Sequence, residues 1–247
     1  DYPGDAFKTA WGVADEYIFD ALLERQVRAA SAGKPIFATL LSVSNHRPYD
    51  VPPGRTGRPS GEQSRIGAIA YADWCIGRYL DAARKQGVLD HTVVLVVGDH
   101  GARVYGSEEI PVGSYRIPAL FLAPESAWPD HGVKGRRIDK LCSQIDLAPT
   151  LLSLAGVSCS APFFGQDLTA DPDGPGRAFV HHDRDIGILT DDTLVVLGLR
   201  KGVYFYRRAG RDDDHLERVD PSRATPGMRE LELDATAVFQ IADELYR

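Results

Sequence analysis

The stretch Thr92-Val93-Val94-Leu95-Val96-Val97-Gly98-Asp99-His100-Gly101 decides how the fold is read. Its aliphatic and β-branched run, halted by glycine, reads as a buried strand running out into a loop. Asp99 and His100 are then presented at the C-terminal end of that strand, the edge at which open α/β sheets bind ligands. A carboxylate oxygen beside an imidazole nitrogen suits Zn²⁺ or Mn²⁺ better than Ca²⁺. An isolated Asp-His pair can instead cap a turn. The strand before this pair and the glycines on either side of it favour a site.

Upstream, apolar residues at Phe19, Leu22, Leu23, Val27 and Ala30 predict a helix over 15–30. Gly33-Lys34-Pro35 ends it, and 36–43 then reads as a strand leading into Ser44-Asn45-His46-Arg47-Pro48-Tyr49. A loop rich in Pro, Gly and Arg over 52–61 precedes a long helix with Ile66, Ile69, Ala72, Ile76, Tyr79 and Ala83 on one face, stopped by Gly87. Downstream, 117–122 reads as another buried strand. Asp146 is placed to cap a helix through Leu154, with Pro149 in its first turn and Gly156 as its stop.

The pattern changes after the Asp171-Pro172-Asp173-Gly174-Pro175-Gly176 loop. Short strands at 178–181, 186–190, 193–199 and 203–207 suggest an antiparallel meander, closed by a helix over 236–246. The expected fold is therefore α/β, a mixed and mostly parallel sheet flanked by helices, with a C-terminal antiparallel meander and terminal helix. The expected organisation is a catalytic α/β portion over 1–170 and a strand subdomain over 171–247 packed on the same domain.

At 247 residues, 43% hydrophobic and 26% charged, the chain is long enough to bury a substantial core. A net charge of −7 with no basic stripe argues against nucleic acid as a partner. No apolar run approaches a membrane span and no signal-peptide pattern opens the chain. It begins at Asp1 rather than Met, and so reads as a processed or excised piece. Cys75, Cys142 and Cys159 are too few for a disulfide framework. Cys75 reads as a core residue, and whether Cys142 and Cys159 pair stays open.

If 36–43 and 92–97 share a parallel sheet through the helix between them, the right-handed crossover rule puts both C-terminal ends on one edge. His46 then faces Asp99 and His100 across a crevice, where an imidazole could hydrogen-bond a phosphate oxygen or shuttle a proton. The alternative is a histidine held by the turn before Pro48.

Lys34-Pro35-Ile36-Phe37 and the segment from Leu41 through Tyr49 resemble a stretch of lipoteichoic acid synthases and related phosphoglycerol transferases. Trp11-Gly12-Val13-Ala14-Asp15-Glu16 is similar to the start of their preceding helix. Residues 73–101 resemble their helix–strand–metal-loop segment. Gln144-Ile145-Asp146-Leu147-Ala148-Pro149-Thr150-Leu151-Leu152 resembles a later helix shared with sulfatases. These four segments, in this order, are specific to the alkaline phosphatase/sulfatase superfamily. The resemblance runs from about residue 10 to residue 165 and thins in the meander.

The resemblance implies that Asp99 and His100 are two ligands of a catalytic divalent cation, Mn²⁺ first, with Mg²⁺ or Zn²⁺ as alternatives. It implies that His46 contacts the phosphoglycerol group. By position alone, Arg103 near the metal loop and His182 after a strand are weaker substrate-binding candidates, the alternative being solvated loop residues. The activity implied is transfer of phosphoglycerol from a lipid headgroup to a glycan or polyglycerolphosphate acceptor, through a phospho-threonine enzyme intermediate. Phosphoethanolamine transfer, phosphodiester cleavage and sulfate-ester hydrolysis are alternatives within the superfamily, and a non-catalytic binding module is an alternative outside it.

The family's nucleophilic threonine and first acidic ligand lie upstream of the segment matched at Trp11-Gly12, so the catalytic residue set in this chain is expected to be empty. The sulfatase signature Cys-X-Pro/Ala-X-Arg is missing as well; Cys159-Ser160-Ala161-Pro162-Phe163 lacks the arginine. The chain alone is therefore expected to be inactive. Its expected partner is the N-terminal half of the same domain, bound even as a separate piece. The parent is expected to be membrane-anchored and extracytoplasmic. Without its other half the chain is expected to expose a sheet edge or apolar surface and to self-associate.

Overall fold

Asp15 and Glu16 in the first turn and Arg28 in the last complement the dipole of α1 (Asp15–Ser31). In this computed structural model, which describes residues 2–56, 63–102, 109–129, 135–210 and 214–247, backbone contacts divide the chain into two units. They are Asp1–Thr92 and Val93–Arg247.

In the first unit a small antiparallel ribbon, β1 (Lys8–Thr9) with β2 (Gly12–Val13), leads into α1. Helix α2 (Arg65–Lys85) is capped by Ser64, whose hydroxyl accepts from the Gly67 amide at 3.0 Å. Gly87, at φ 69°, supplies the left-handed residue that ends this region. Phe19, Leu22, Leu23 and Val27 of α1 pack on Tyr79, Ala83 and Val88. A second cluster joins Ala14, Tyr71 and Cys75 to Phe7, Val51 and Trp74. Tyr79 donates its buried hydroxyl to Gln26 Oε1 at 2.9 Å.

The strand expected at 36–43 does not form. A strand is made by its ladder, and this segment joins none among the described residues. Its apolar side chains stand out instead, with Phe37 81% and Leu41 69% exposed. Among the described residues, 36–43 therefore supplies no strand for the expected right-handed crossover.

In the second unit β3 (Val94–Val97) pairs antiparallel with β4 (Ala119–Leu122), from Val94 opposite Leu122 to Val97 opposite Ala119. The strand expected to be fully buried is only half-buried, because a two-stranded ladder leaves its faces uncovered; Leu120 is 56% exposed. A short 3₁₀ turn, Gln144–Asp146, opens α3 (Leu147–Leu154). Ser143 takes the capping position expected of Asp146, and Asp146 sits three residues on, reaching back to the Ser143 amide at 2.7 Å. Gly156 ends the helix at φ 67°, as expected.

The meander is β5 (Ala178–His182), β6 (Asp185–Leu189), β7 (Thr193–Gly198), β8 (Gly202–Arg207) and β9 (Glu217–Val219), antiparallel in sequence order. Strand alternation sorts its core: Leu194, Val196 and Tyr206 pack with Ile110 and Val112, while Val195 and Phe205 pack with Met228 and Ala235 of α4 (Pro226–Leu245). Helix α4 starts ten residues before the expected 236, because Thr225 caps it, accepting from the Met228 amide at 3.2 Å, and Pro226 occupies its first turn.

Every ladder among the described residues is antiparallel, so the expectation of a mostly parallel sheet is corrected. Parallel pairing needs a crossover between two strands, and the segment that was to supply one of them is unpaired. Ala178 and Val180 share a core with Ile110 and Val112, which ties the meander to the segment before it. All three cysteines are free thiols, Cys75 buried and the other two exposed.

Candidate functional site

The Gly98 amide donates to Pro118 O at 3.1 Å, carrying the β3–β4 ladder one residue past Val97 before the loop turns away. Asp99 and His100 follow with side chains 67% and 81% exposed. The His100 amide donates to Asp99 Oδ1 at 2.9 Å, and His100 Nδ1 lies 2.9 Å from Gly101 O. A carbonyl only accepts, so the neutral ring carries its proton on Nδ1 and leaves the Nε2 lone pair open. That lone pair lies 3.7 Å from Asp99 Oδ2, so one oxygen and one nitrogen donor point into the same small volume. Gly101 is required by packing: a Cβ there would meet Ser114 O at 2.0 Å.

Gln144 reaches the same loop. Its Nε2 donates to Gly98 O at 3.1 Å and to Asp99 O at 2.9 Å. The pair borders a cleft of about 540 Å³ whose wall includes Tyr115, Arg116, Lys140 and Phe179. Cationic side chains in this wall are held internally. Arg116 bonds Asp214 at 2.8 Å, and the buried Lys140 Nζ donates to Asp171 O at 3.0 Å.

The sulfatase family model matches residues 2–157, more than half of the chain. This chain belongs to the sulfatase family.

Among curated sulfatase-family relatives, the chain is 24% identical over 245 residues to lipoteichoic acid synthase 2 of Bacillus subtilis, covering 90% of this chain and 35% of that protein. It is 29% identical over 167 residues to an arylsulfatase of Clostridium perfringens, covering 64% of this chain and 34% of that one. Phosphoglycerol transferase I of Xanthomonas campestris matches at 27% over 184 residues, covering 72% of this chain and 25% of that protein. The chain thus spans a quarter to about a third of these relatives. Among solved structures, a Vibrio parahaemolyticus protein of the alkaline phosphatase superfamily superposes at TM-score 0.82 and 29% identity, over 99% of this chain and 58% of that one. The lipoteichoic acid synthase LtaP of Listeria monocytogenes shares the fold at TM-score 0.71 and 16% identity, over 95% of this chain and 59% of that one.

Among the described residues of this sulfatase-family chain, no group of three or more His, Cys, Asp or Glu side chains could hold a metal ion. Asp99 and His100 nonetheless fit a divalent cation as part of its shell: a hard oxygen and an open imidazole nitrogen, oriented by a backbone carbonyl on the other ring nitrogen.

His46 belongs to the first unit. Its ring centroid lies 3.7 Å from that of Trp11, and its Nδ1 is 3.0 Å from Arg47 O, which also accepts from Trp11 Nε1 at 2.7 Å. By the same proton logic, neutral His46 leaves Nε2 as an acceptor. Its loop is anchored from α1, where Asp15 Oδ1 accepts the Val43 amide at 2.9 Å, and Glu16 beside it holds Arg55 through two bonds of 2.8 and 3.1 Å.

His182 ends β5 with Nδ1 2.9 Å from the Tyr115 hydroxyl, which donates to His181 O at 2.6 Å. The ring is therefore engaged internally, and it is Tyr115, not His182, that lines the cleft. Arg103 lies outside the described residues. Within the second unit the structure joins Asp99 with His100 and adds Gln144 and Tyr115; within the first it sets Trp11 against His46, and sequence reasoning did not single out these three additions. Gln144 and Trp11 both stand inside the segments that carried the resemblance.

Proposed function

We propose that this chain is the C-terminal part of the catalytic domain of a metal-dependent phosphoglycerol transferase. The observation that carries the proposal is the convergence of Asp99 Oδ2 and His100 Nε2, 3.7 Å apart, on a cleft beside β3. Similarity to a lipoteichoic acid synthase and a phosphoglycerol transferase gives that convergence its chemistry.

In this reading Asp99 and His100 hold a divalent cation, Mn²⁺ first, with Mg²⁺ or Zn²⁺ as alternatives. A cation there lowers the pKa of an attached hydroxyl and offsets charge on the phosphoryl oxygens. His46 contacts the phosphoglycerol group. As the neutral ring it accepts from a glycerol hydroxyl at Nε2, and as imidazolium it donates to a phosphate oxygen. The threonine nucleophile and the remaining acidic ligand come from sequence outside these 247 residues, which is why the chain alone turns nothing over and binds the cation weakly. The donor is a phospholipid headgroup, the acceptor a glycan or polyglycerolphosphate, and the protein works on the extracytoplasmic face of the membrane.

A second reading is sulfate-ester hydrolysis, favoured by the 29% identity to an arylsulfatase. The two separate when a form extended at its N-terminus is assayed with a phosphoglycerol lipid, a phosphoethanolamine lipid and an aryl sulfate. Diacylglycerol release from the first alone supports the proposal. Turnover of the aryl sulfate alone overturns it.

A further inference from the structure

We propose that Gln144 is a positioning residue for the Asp99–His100 pair, clamping the two backbone carbonyls that bracket Asp99. The proposal rests on the reading of that pair as cation ligands.

The bonds inside the pair span only three consecutive residues: His100 amide to Asp99 Oδ1, and His100 Nδ1 to Gly101 O. They fix its internal shape, not its place. Its place is set by longer-range contacts. On one side the Gly98 amide bonds Pro118 O, and the Gly101 backbone lies so close to Ser114 O that a side chain would collide with it. On the other side is Gln144, 45 and 46 residues away in sequence, donating to Asp99 O and Gly98 O. Both partners are acceptors only, so both protons of the amide are committed and its orientation is settled.

Gln144 is itself rigidly mounted. It opens the 3₁₀ turn that leads into α3, and the buried Asp146 carboxylate ties that turn down, accepting the Ser143 amide at 2.7 Å and the Gln166 amide at 2.8 Å. Gly165 closes the other side, since a Cβ there would meet Ile145 O at 2.0 Å. The side chain thus transfers the rigidity of the α3 start to the ligand loop. Because Gln144 is exposed, its replacement leaves the core intact.

Outer contacts that orient ligands typically change metal affinity by about 10–100-fold. The test uses the 247-residue chain with Gln144→Met, which keeps length and removes both donors, and Gln144→Glu, which keeps shape and turns an acceptor toward the carbonyls. ¹⁵N relaxation without metal should show order parameters at 98–101 falling from the rigid range near about 0.85 toward about 0.6 in both variants, while 147–154 stays unchanged. Mn²⁺ titration followed by electron paramagnetic resonance should show about tenfold weaker binding in Gln144→Met. An unchanged order parameter at 98–101 overturns the clamp. A loosened loop with unchanged Mn²⁺ affinity overturns the positioning role. If Asp99→Asn leaves Mn²⁺ binding as it was, the cation reading itself fails, and the relaxation data still decide whether the clamp exists.

Discussion

Asp99 and His100 were legible because their chemistry is local: two donor-bearing residues between glycines, after an aliphatic run. Gln144 was not, because its role is a contact across more than forty residues, and nothing in a polar helix start announces which carbonyls it will reach. Gly101 sits between these cases. Its presence in the motif was plain, but the reason for it, contact with Ser114 O, belongs to the tertiary structure. Gly101→Ala should therefore destabilise the second unit by about 1–3 kcal/mol, the usual cost of forcing volume into a packed site, read from denaturant unfolding; a change below about 0.5 kcal/mol would contradict the packing. Thiol chemistry gives a second check at this scale. Cys159 and Cys142 are exposed and should react with a thiol reagent in the native protein. Cys75 is buried and should react only on unfolding.

Among the elements, α1, α2, the four longer meander strands and the stop at Gly156 follow from periodicity and glycine placement, which act within a few residues. The start of α4 was missed although Thr225-Pro226 is a capping signal, because the charged residues after it mask the apolar face. The 36–43 segment carries a strand's composition but no ladder, and pairing is a property of two segments that one of them cannot declare. At α3 the sequence pointed to Asp146 as a capping residue, and the structure shifts it by one turn into a reciprocal arrangement with Ser143. Its carboxylate also accepts the Gln166 amide. Asp146→Ala thus removes the acceptor of two half-buried amides, and should cost about 1–3 kcal/mol, by the sum of a lost cap and partly unsatisfied donors. Thermal unfolding checks this, and a loss under about 1 kcal/mol would show that neither bond matters.

For the molecule as a whole, stability should fall at alkaline pH. Burial pushes the Cys75 thiol up to about 12 from 9.0, and it raises the neighbouring Tyr71 phenol too. The folded state therefore keeps protons that the unfolded chain releases, from Cys75 above about pH 9 and from Tyr71 above about pH 10, so stability is full below about pH 9 and drops as pH rises towards 12, by at most about 1.4 kcal/mol per pH unit for each group past its unfolded pKa. Denaturant unfolding at pH 8, 9.5 and 10.5 should show the decline, and Cys75→Ala should flatten it. The exposed Phe37 and Leu41 make self-association the expected behaviour of this chain in solution, and Phe37→Lys with Leu41→Lys should shift light scattering toward the monomer. The family was legible from four segments and the C-terminal meander from its alternation; the expected mostly parallel sheet was not found among the described residues, because strand pairing depends on partners that a single segment does not declare. The central claim is that Asp99 and His100 hold the cation of a phosphoglycerol transferase. It is tested most directly by Mn²⁺-dependent diacylglycerol release from a phosphoglycerol lipid by an N-terminally extended form, with and without Asp99→Asn. The expected result is release that requires Mn²⁺ and falls at least about a hundredfold in Asp99→Asn; release that proceeds equally in the variant would contradict it.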